Sequence, residues 1–310
     1  MPIRRVGRCA VRPEVPGGGR SLGWLTVAVL VAGLSATAGG QAPPAGTFLD
    51  LPYATVGGKV LRLDLHMPTG VTLPPLLVWV HGGAWRQGTK ATYPAGFVAQ
   101  GIAVASVDFR LSTDARFPAM VHDIKAAVRY LRANAARHAY RGDRIAIGGD
   151  SSGAHLAALV GVTNGSVELE GMLGEHRNTS SSVQAILDYY GATNLTSILA
   201  QSTPFGLGVR EPALELLLGG PPDRTRALAE LASTVRHVDA SDPPLLIFHG
   251  DQDPQMPINQ SHELHGAYRR ADLPVEFVVV HGAAHGGDVF YTGEHLSKAV
   301  AFIKRTIGAR

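Results

Sequence analysis

One serine of this chain lies in a pattern that can make it a nucleophile. Ser151 is the centre of Gly149-Asp150-Ser151-Ser152-Gly153, a G-x-S-x-G pentapeptide. The apolar run at 144–148 predicts a strand before it, and residues 154–160 predict a buried helix after it. Such a turn exposes the serine Oγ and directs the helix N-terminus toward it. The alternative is a chance glycine–serine turn, in a chain that contains 37 glycines.

A serine nucleophile needs a base and an acid that orients the base, in the chain order Ser, Asp, His for this type of turn. Two predicted strands further along end in loops that carry these residue types. We assign Asp253 as the orienting carboxylate, because Asp251 is better suited to bonding backbone amides in its turn. We assign His285 as the base, because it lies in a flexible glycine-rich loop, whereas His281 ends its strand. Asp251 and His281 remain the alternatives.

Backbone donors for an oxyanion are predicted in two places. An apolar strand leads into His81-Gly82-Gly83-Ala84-Trp85, whose glycine-rich backbone can direct N–H groups at a carbonyl oxygen. We assign the amides of Gly83, Ala84 and Ser152 to the oxyanion hole, and the choice between Gly83 and Ala84 stays open. Trp85 is predicted to form a wall of the acyl pocket, with a purely structural role as the alternative.

With these motifs, residues 50–307 resemble the α/β-hydrolase esterases, in the branch with a His-Gly-Gly-x-Trp oxyanion loop. That branch includes hormone-sensitive-lipase-like carboxylesterases and secreted bacterial acetylxylan and feruloyl esterases. The chain departs from it at Ala84, where many members have a third glycine, and at 152–154, where Ala-Gly-Gly is common. Neither departure removes a backbone donor. Other stretches that resemble the family are 107–112, 117–119, 183–191 and 242–244.

The order of predicted elements indicates an α/β protein. Strands are predicted near 59–66, 76–80, 102–107, 144–148, 184–189, 244–249 and 275–280. Helices are predicted near 93–100, 118–135, 151–162, 225–232, 259–271 and 294–306. This alternation predicts one domain with a mainly parallel central sheet and helices on both faces, which is the α/β-hydrolase fold that the resemblance implies.

Residues 163–226 are irregular and rich in Gly, Ser, Thr and Pro, and we expect them to form a small cap or cover-loop insertion. Within this segment, 214–220 predicts a short helix closed by glycine. Tyr190 is predicted to contact substrate, with packing as the alternative. Arg110 and Asp123 are predicted to pair, with independent solvated roles as the alternative.

Residues 1–38 have the pattern of a secretory signal peptide. Five arginines precede the apolar run 22–34, and Ala36-Thr37-Ala38 fits a cleavage site, with 40–42 as a second option. The apolar run is short for a membrane span, and a retained anchor is the alternative. We therefore expect a secreted or periplasmic protein whose mature domain is 39–310, without a stable membrane anchor. Its single cysteine, Cys9, would leave with the signal.

The charge of the chain argues against nucleic acid as a partner. The formal net charge is +3, but residues 1–38 contain five arginines and one glutamate. The expected mature domain has 23 Lys and Arg against 24 Asp and Glu, so the basic character belongs to the signal. His262, Glu263 and His265 lack the spacing of a zinc helix, and we predict no metal and no cofactor.

These features predict a secreted serine hydrolase that acts on carboxylic esters through an acyl-enzyme. The resemblance implies short-acyl or aryl esters, of acetyl or feruloyl type, on a small molecule or a polysaccharide. An arylformamidase-like amide hydrolase and a non-catalytic binding module on a hydrolase scaffold are the alternatives. A prolyl-oligopeptidase-type peptidase lacks support, since no propeller-like partner domain is predicted.

Overall fold

Eight strands form one mixed sheet in the part of the chain that the structure, a computed structural model, describes, which is residues 46–308. The strands are β1 (Thr47–Val56), β2 (Lys59–His66), β3 (Leu76–Val80), β4 (Ala103–Val107), β5 (Ile145–Asp150), β6 (Ala185–Tyr189), β7 (Leu245–Gly250) and β8 (Val275–Val280). Their spatial order is β1-β2-β4-β3-β5-β6-β7-β8. The pairs β1–β2 and β2–β4 are antiparallel and all others are parallel, which confirms the predicted mainly parallel sheet.

Helices connect these strands and cover the sheet. In the described residues they are α1 (Gly96–Ala99), α2 (Ala119–Ala133), α3 (Ala135–His138), α4 (Ser152–Gly161), α5 (Val167–Glu170), α6 (Ile198–Gln201), α7 (Pro204–Leu218), α8 (Arg226–Leu231), α9 (Asn259–Arg270) and α10 (Gly293–Ile307). Two 3₁₀ turns lie at Thr234–Arg236 and Asp288–Phe290.

The alternation of side chains along the strands divides the core between the two faces of the sheet. In β3, Val78 packs on one face with α2, α4 and α9, whereas its neighbours Leu77 and Trp79 pack on the other face with α1 and α10. Because all five residues of β3 are buried, both faces are covered, as expected for a parallel sheet.

Strand β1 was not predicted, and its sequence explains why. It is interrupted by two register irregularities against β2, and Pro52 lies between them. Several of its residues are exposed, so the apolar alternation is weak. A position at the edge of the sheet tolerates both the proline and the irregular pairing.

Helix α7 begins ten residues before the short helix predicted at 214–220. The Thr203 hydroxyl caps its first turn by accepting from the Gly206 amide at 3.0 Å, and Pro204 follows at the first helical position. Gly219 ends it in a left-handed conformation, as the glycine predicted. Pro212 lies inside the helix and weakens the helical pattern of the sequence there.

The loop after β4 is fastened to α2 by a buried ion pair. The Arg110 guanidinium donates to both carboxylate oxygens of Asp123, at 2.7 and 2.9 Å. The backbone amide of Arg110 donates to the same carboxylate at 2.8 Å. The structure therefore shows the pairing, rather than the independent solvated roles.

The predicted signal peptide and both of its cleavage sites lie outside the described residues. Within 46–308, no helix has the length and apolar character needed to cross a membrane.

Candidate active site

Ser151, the predicted nucleophile, lies in a sharp turn between β5 and α4. Ser151 has φ 53° and ψ −120°, a conformation that is unfavourable for a residue with a side chain and typical of functional sites. A Cβ added to Gly149 or to Gly153 would overlap the carbonyl oxygen of Val80 in β3. Both glycines are therefore required because the turn packs backbone to backbone against the neighbouring strand.

His285 connects the nucleophile to a carboxylate. Its Nε2 lies 2.9 Å from the Ser151 Oγ, and its Nδ1 lies 2.6 Å from Oδ2 of Asp253. The carboxylate only accepts hydrogen bonds, so Nδ1 carries the proton in the neutral ring. Nε2 therefore presents a lone pair to the serine hydroxyl, which is the tautomer that a general base needs.

The carboxylate of Asp253 is fully buried and held by several donors. Its Oδ1 accepts from the amides of Gln255 and Met256, each at 2.8 Å. Burial alone would raise the pKa of this carboxyl, but hydrogen bonds from His249 and His285 hold the pKa well below its ordinary value. Asp253 is consequently ionised and can stabilise the imidazolium of His285.

His249 contacts the carboxylate of Asp253 and helps to hold it in place, a role that sequence reasoning missed. Its Nε2 lies 3.0 Å from the Met256 carbonyl oxygen and 3.4 Å from Oδ2 of Asp253. Both partners only accept, so Nε2 carries the proton, and Nδ1 accepts from the Ser261 hydroxyl at 2.7 Å. The only sequence signal was its place at the end of the strand that leads into the acid loop.

Asp251 and His281, the alternative acid and base, form a separate hydrogen-bonded pair. Nδ1 of His281 donates to Asp251 at 2.8 Å, and the amide of Gly282 donates to the same carboxylate at 2.8 Å. The side chain of His281 is 85% exposed. Asp251 thus fixes the turn between two loops, and its hydrogen bond from His281 lowers the pKa of its carboxyl. Neither residue takes part in the contacts with Ser151.

The amides of Gly83 and Ala84 have no acceptor among the described residues, and both residues line the cavity beside Ser151. Ser152 is the first residue of α4, so its amide lacks an intrahelical partner. All three amides are thus free to bind an oxyanion. Ala84 has φ 52°, a left-handed conformation that explains why glycine suits this position.

Asp150 holds the predicted oxyanion loop, the segment after β3, through a hydrogen bond. Sequence reasoning missed this role, although Asp150 is the second residue of the G-x-S-x-G pentapeptide. Its Oδ1 accepts from the Gly82 amide at 3.0 Å. A Cβ at Gly82 would overlap the Asp150 carboxylate, so the loop approaches as closely as glycine allows. Burial raises the pKa of the Asp150 carboxyl, and the hydrogen bond from Gly82 opposes part of that shift.

Trp85 was predicted to form a wall of the acyl pocket, but the structure places its side chain in the core. Its side chain is fully buried, and its indole N–H donates to Nδ1 of His155 at 3.0 Å. It is absent from the walls of the cavities beside Ser151 in the described part of the chain. The reason is local: φ is 59° at Trp85, and the left-handed turn directs the side chain toward α4.

A cavity of about 350 Å³, here called the catalytic cavity, opens beside Ser151 and His285. Val209 of α7 and Gln255 of the acid loop form its outer wall. Tyr190 forms part of the inner wall, and its ring packs edge-on at 4.8 Å from the His285 ring centroid. Of the predicted cover segment, α7 reaches this cavity, whereas no residue of 163–183 lines it.

Helix α7 is fastened to the loop that carries Asp253. The Thr203 hydroxyl donates to the Pro254 carbonyl at 2.6 Å, and Arg210 donates to the Gln255 carbonyl at 3.1 Å. Arg210 is fully buried, and this burial lowers the pKa of its guanidinium to about 10. Helix α7 and the loop that carries Asp253 therefore pack as one unit.

Within residues 46–308, no three His, Cys, Asp or Glu side chains are grouped so that they could hold a metal ion. The cluster of Ser151, His285 and Asp253 beside free backbone amides is instead suited to nucleophilic acyl transfer.

Comparison with known proteins agrees with this architecture. The sequence profile of the BD-FAE family matches residues 63–268. The chain belongs to the BD-FAE family. It is 31% identical over 222 residues to the esterase LipC of Mycobacterium tuberculosis, a match that covers 69% of this chain and 53% of LipC. It spans little more than half the length of the first curated relatives.

Solved structures confirm the predicted α/β-hydrolase fold of this BD-FAE chain. A truncated carbohydrate esterase from gut microbiota superimposes with a TM-score of 0.74 and 29% identity, over 84% of this chain and 95% of that one. The esterase Est2 of Thermogutta terrifontis superimposes with a TM-score of 0.69 and 25% identity, over 86% of this chain and 95% of that one.

Proposed function

We propose that this chain is a serine carboxylic-ester hydrolase that works through a Ser151–His285–Asp253 triad and an acyl-enzyme. The observation that carries the proposal is the continuous hydrogen-bonded series from the Ser151 Oγ to Nε2 of His285, at 2.9 Å, and from Nδ1 to Asp253, at 2.6 Å. The relatives that are named esterases support the same class of reaction.

The reaction begins when the Ser151 Oγ attacks the ester carbonyl carbon and its proton passes to Nε2 of His285. The carbonyl oxygen becomes an oxyanion, which accepts hydrogen bonds from the free amides of the loop after β3 and of Ser152. When the tetrahedral intermediate collapses, the carbon–oxygen bond to the alcohol breaks and His285 returns the proton to the leaving oxygen.

Water then replaces the alcohol. His285 removes a proton from the water as its oxygen attacks the acyl carbon, and a second oxyanion forms at the same amides. Collapse releases the carboxylic acid and restores the Ser151 hydroxyl. Each backbone donor is expected to contribute roughly 3 to 4 kcal/mol to the transition state, as in comparable oxyanion holes.

We propose short-acyl or aryl esters, of acetyl or feruloyl type, as the substrates. The catalytic cavity has a volume of about 350 Å³, at the small end of the range for ligand sites. Its outer wall includes Val209, on a helix fastened to the acid loop, which limits the room for a long acyl chain. The related enzyme from gut microbiota is a carbohydrate esterase, which favours an acylated carbohydrate.

The test is hydrolysis of p-nitrophenyl esters of increasing acyl length, together with methyl ferulate and an aryl formamide. Wild-type enzyme is compared with Ser151→Ala and with Ser180→Ala, which changes an exposed serine outside the cavity. We expect turnover of short esters that is lost in Ser151→Ala and retained in Ser180→Ala. A folded wild type that hydrolyses no ester, or that prefers the formamide, would overturn the proposal.

We also propose that residues 1–38 export the protein, on the basis of the sequence pattern alone. Expression of the full chain in a bacterium, followed by fractionation and N-terminal sequencing, tests this. A mature N-terminus at Gly39 or at Pro43 in the periplasm or medium would support export, whereas an intact chain in the cytoplasm or membrane would contradict it.

A further inference from the structure

A second cavity lies next to the catalytic cavity. It has a volume of about 440 Å³, and we call it the Tyr93 cavity after the residue on its outer wall. Asp150, Tyr190 and Gly286 line both cavities, so the two spaces are adjacent at these residues. The remaining wall comes from the inner face of β3, the segment before α1, and the loop that follows His285.

Polar side chains that line the Tyr93 cavity have unused hydrogen-bonding capacity. Asp150 uses Oδ1 for the Gly82 amide, and its Oδ2 accepts no hydrogen bond from the described residues. The hydroxyls of Tyr190 and Tyr291 lie 2.6 Å apart, so one of them retains a hydrogen to donate. One acceptor and one donor therefore lie among the residues that line this cavity.

The other walls are flat aromatic rings. Tyr93 stacks on His66 with 3.8 Å between ring centroids, which fixes the tyrosine ring from behind. The ring of Tyr291 packs edge-on against Trp79 at 6.0 Å. Rings held in this way offer rigid apolar faces next to hydrogen-bonding groups.

The charge of the cavity selects against anions. No described residue that lines the Tyr93 cavity is Lys or Arg, whereas Asp150 and Asp288 both line it. A carboxylate accepts hydrogen bonds from hydroxyl groups and a phenol donates to them, so ligand hydroxyls can both donate and accept at this cavity. The matching ligand is neutral, carries several hydroxyls and has an apolar face. A sugar ring has these properties.

We propose that the Tyr93 cavity is the subsite for the sugar ring of an ester whose alcohol is a carbohydrate, with the acyl group in the catalytic cavity. This subsite rests on the proposed esterase function. His285 must protonate the leaving alcohol oxygen, and the residues that follow it, Gly286 to Asp288, form a wall of the Tyr93 cavity. The alcohol portion therefore lies on this side of the nucleophile, and the oxyanion loop lies on the other.

The experiment compares two acetyl esters that differ in the alcohol alone, p-nitrophenyl acetate and a mono-acetylated methyl xyloside. The variants are Tyr291→Phe, which removes one hydroxyl, and Tyr93→Ala, which removes one ring face. For each we expect kcat/KM on the acetylated xyloside to fall about 10-fold further than on p-nitrophenyl acetate, mainly through KM. Phe205→Ala, at an exposed aromatic residue outside both cavities, is the matched control and should not change this ratio.

A binding measurement gives a readout that does not depend on turnover. Xylobiose should bind the Ser151→Ala enzyme in a calorimetric titration, and Tyr93→Ala in the same background should weaken this binding about 10-fold. An equal effect of the variants on both esters, or an altered preference for acyl length, would overturn the subsite and leave the esterase intact. If the wild type hydrolyses neither ester, the proposed esterase function itself is wrong.

Discussion

The buried contact between Trp85 and His155 should make the stability of the fold depend on pH. The indole N–H of Trp85 donates to Nδ1 at 3.0 Å, and Nε2 of His155 donates to the Ala232 carbonyl at 2.7 Å. The ring is therefore neutral, and a second proton on Nδ1 would face the indole N–H. Burial lowers the pKa of His155 to about 4, from an ordinary value of 6.5.

The size of the effect follows from this difference. In the unfolded chain His155 is protonated below pH 6.5, whereas in the folded protein it is protonated only below about pH 4. The stability from this site is thus present above pH 6.5 and is lost as the pH falls toward 4. At 1.36 kcal/mol per pKa unit the full loss is about 3 kcal/mol, of which about 2 kcal/mol is reached near pH 4.5.

Urea unfolding of the wild type and of His155→Gln, at about pH 7 and about pH 4.5, measures this loss. The glutamine amide can still donate to the Ala232 carbonyl but does not titrate. We expect the variant to be less stable near neutral pH, yet to lose about 2 kcal/mol less than the wild type on acidification. Other titrating groups cancel in this comparison. His262→Gln, at an exposed histidine, serves as the control and should lose as much as the wild type.

An equal loss of stability in the wild type and in His155→Gln would refute the reasoning. It would mean that His155 is protonated in the folded protein, and hence that the indole N–H of Trp85 does not donate to it. Because Trp85 directly follows Ala84 of the oxyanion loop, the same measurement reports how firmly that loop is anchored to α4.

Three further variants test the site. Asp253→Asn should lower kcat by ~10⁴-fold with little effect on folding, because it removes the charge that holds the His285 tautomer; a loss under about 10-fold would argue against this acid. Asp251→Asn should leave kcat within about 2-fold of the wild type, and a loss comparable to that of Asp253→Asn would show that the assignment of the acid is wrong. Gly153→Ala should lower the Tm by ~5 °C or more, because its Cβ would overlap the Val80 carbonyl oxygen. Gly208→Ala, which has open space around its Cβ, is the control and should not lower the Tm. Equal Tm values for the two variants would contradict the close backbone contact between Gly153 and Val80.

The sequence predicted those parts of the site that depend on chain order and local spacing. Ser151 follows a buried strand in a glycine-flanked turn, and Asp253 and His285 follow the ends of two later strands. Parallel strands bring such loops to one edge of the sheet, so the three side chains could be placed together without knowing any contact.

The sequence could not predict features that depend on contacts between distant segments. Trp85 was expected in the acyl pocket, but a left-handed backbone turn directs it inward, where its indole N–H donates to His155, 70 residues later. The supporting role of His249 depends on a loop conformation that brings the Met256 carbonyl and Asp253 together. The Tyr93 cavity joins residues from five segments that lie far apart in the sequence.

The close backbone contacts at Ser151 fix the catalytic groups independently of the segment at residues 92–96. The turn at Ser151 and the oxyanion loop extend from adjacent, hydrogen-bonded strands, with Val80 opposite Gly149, and the Asp150 side chain links them. Formation of the sheet therefore preorganises both reacting parts together. Residues 92–96, which line the Tyr93 cavity and hold none of these reacting parts, can then be redesigned for another alcohol while the catalytic geometry is left unchanged.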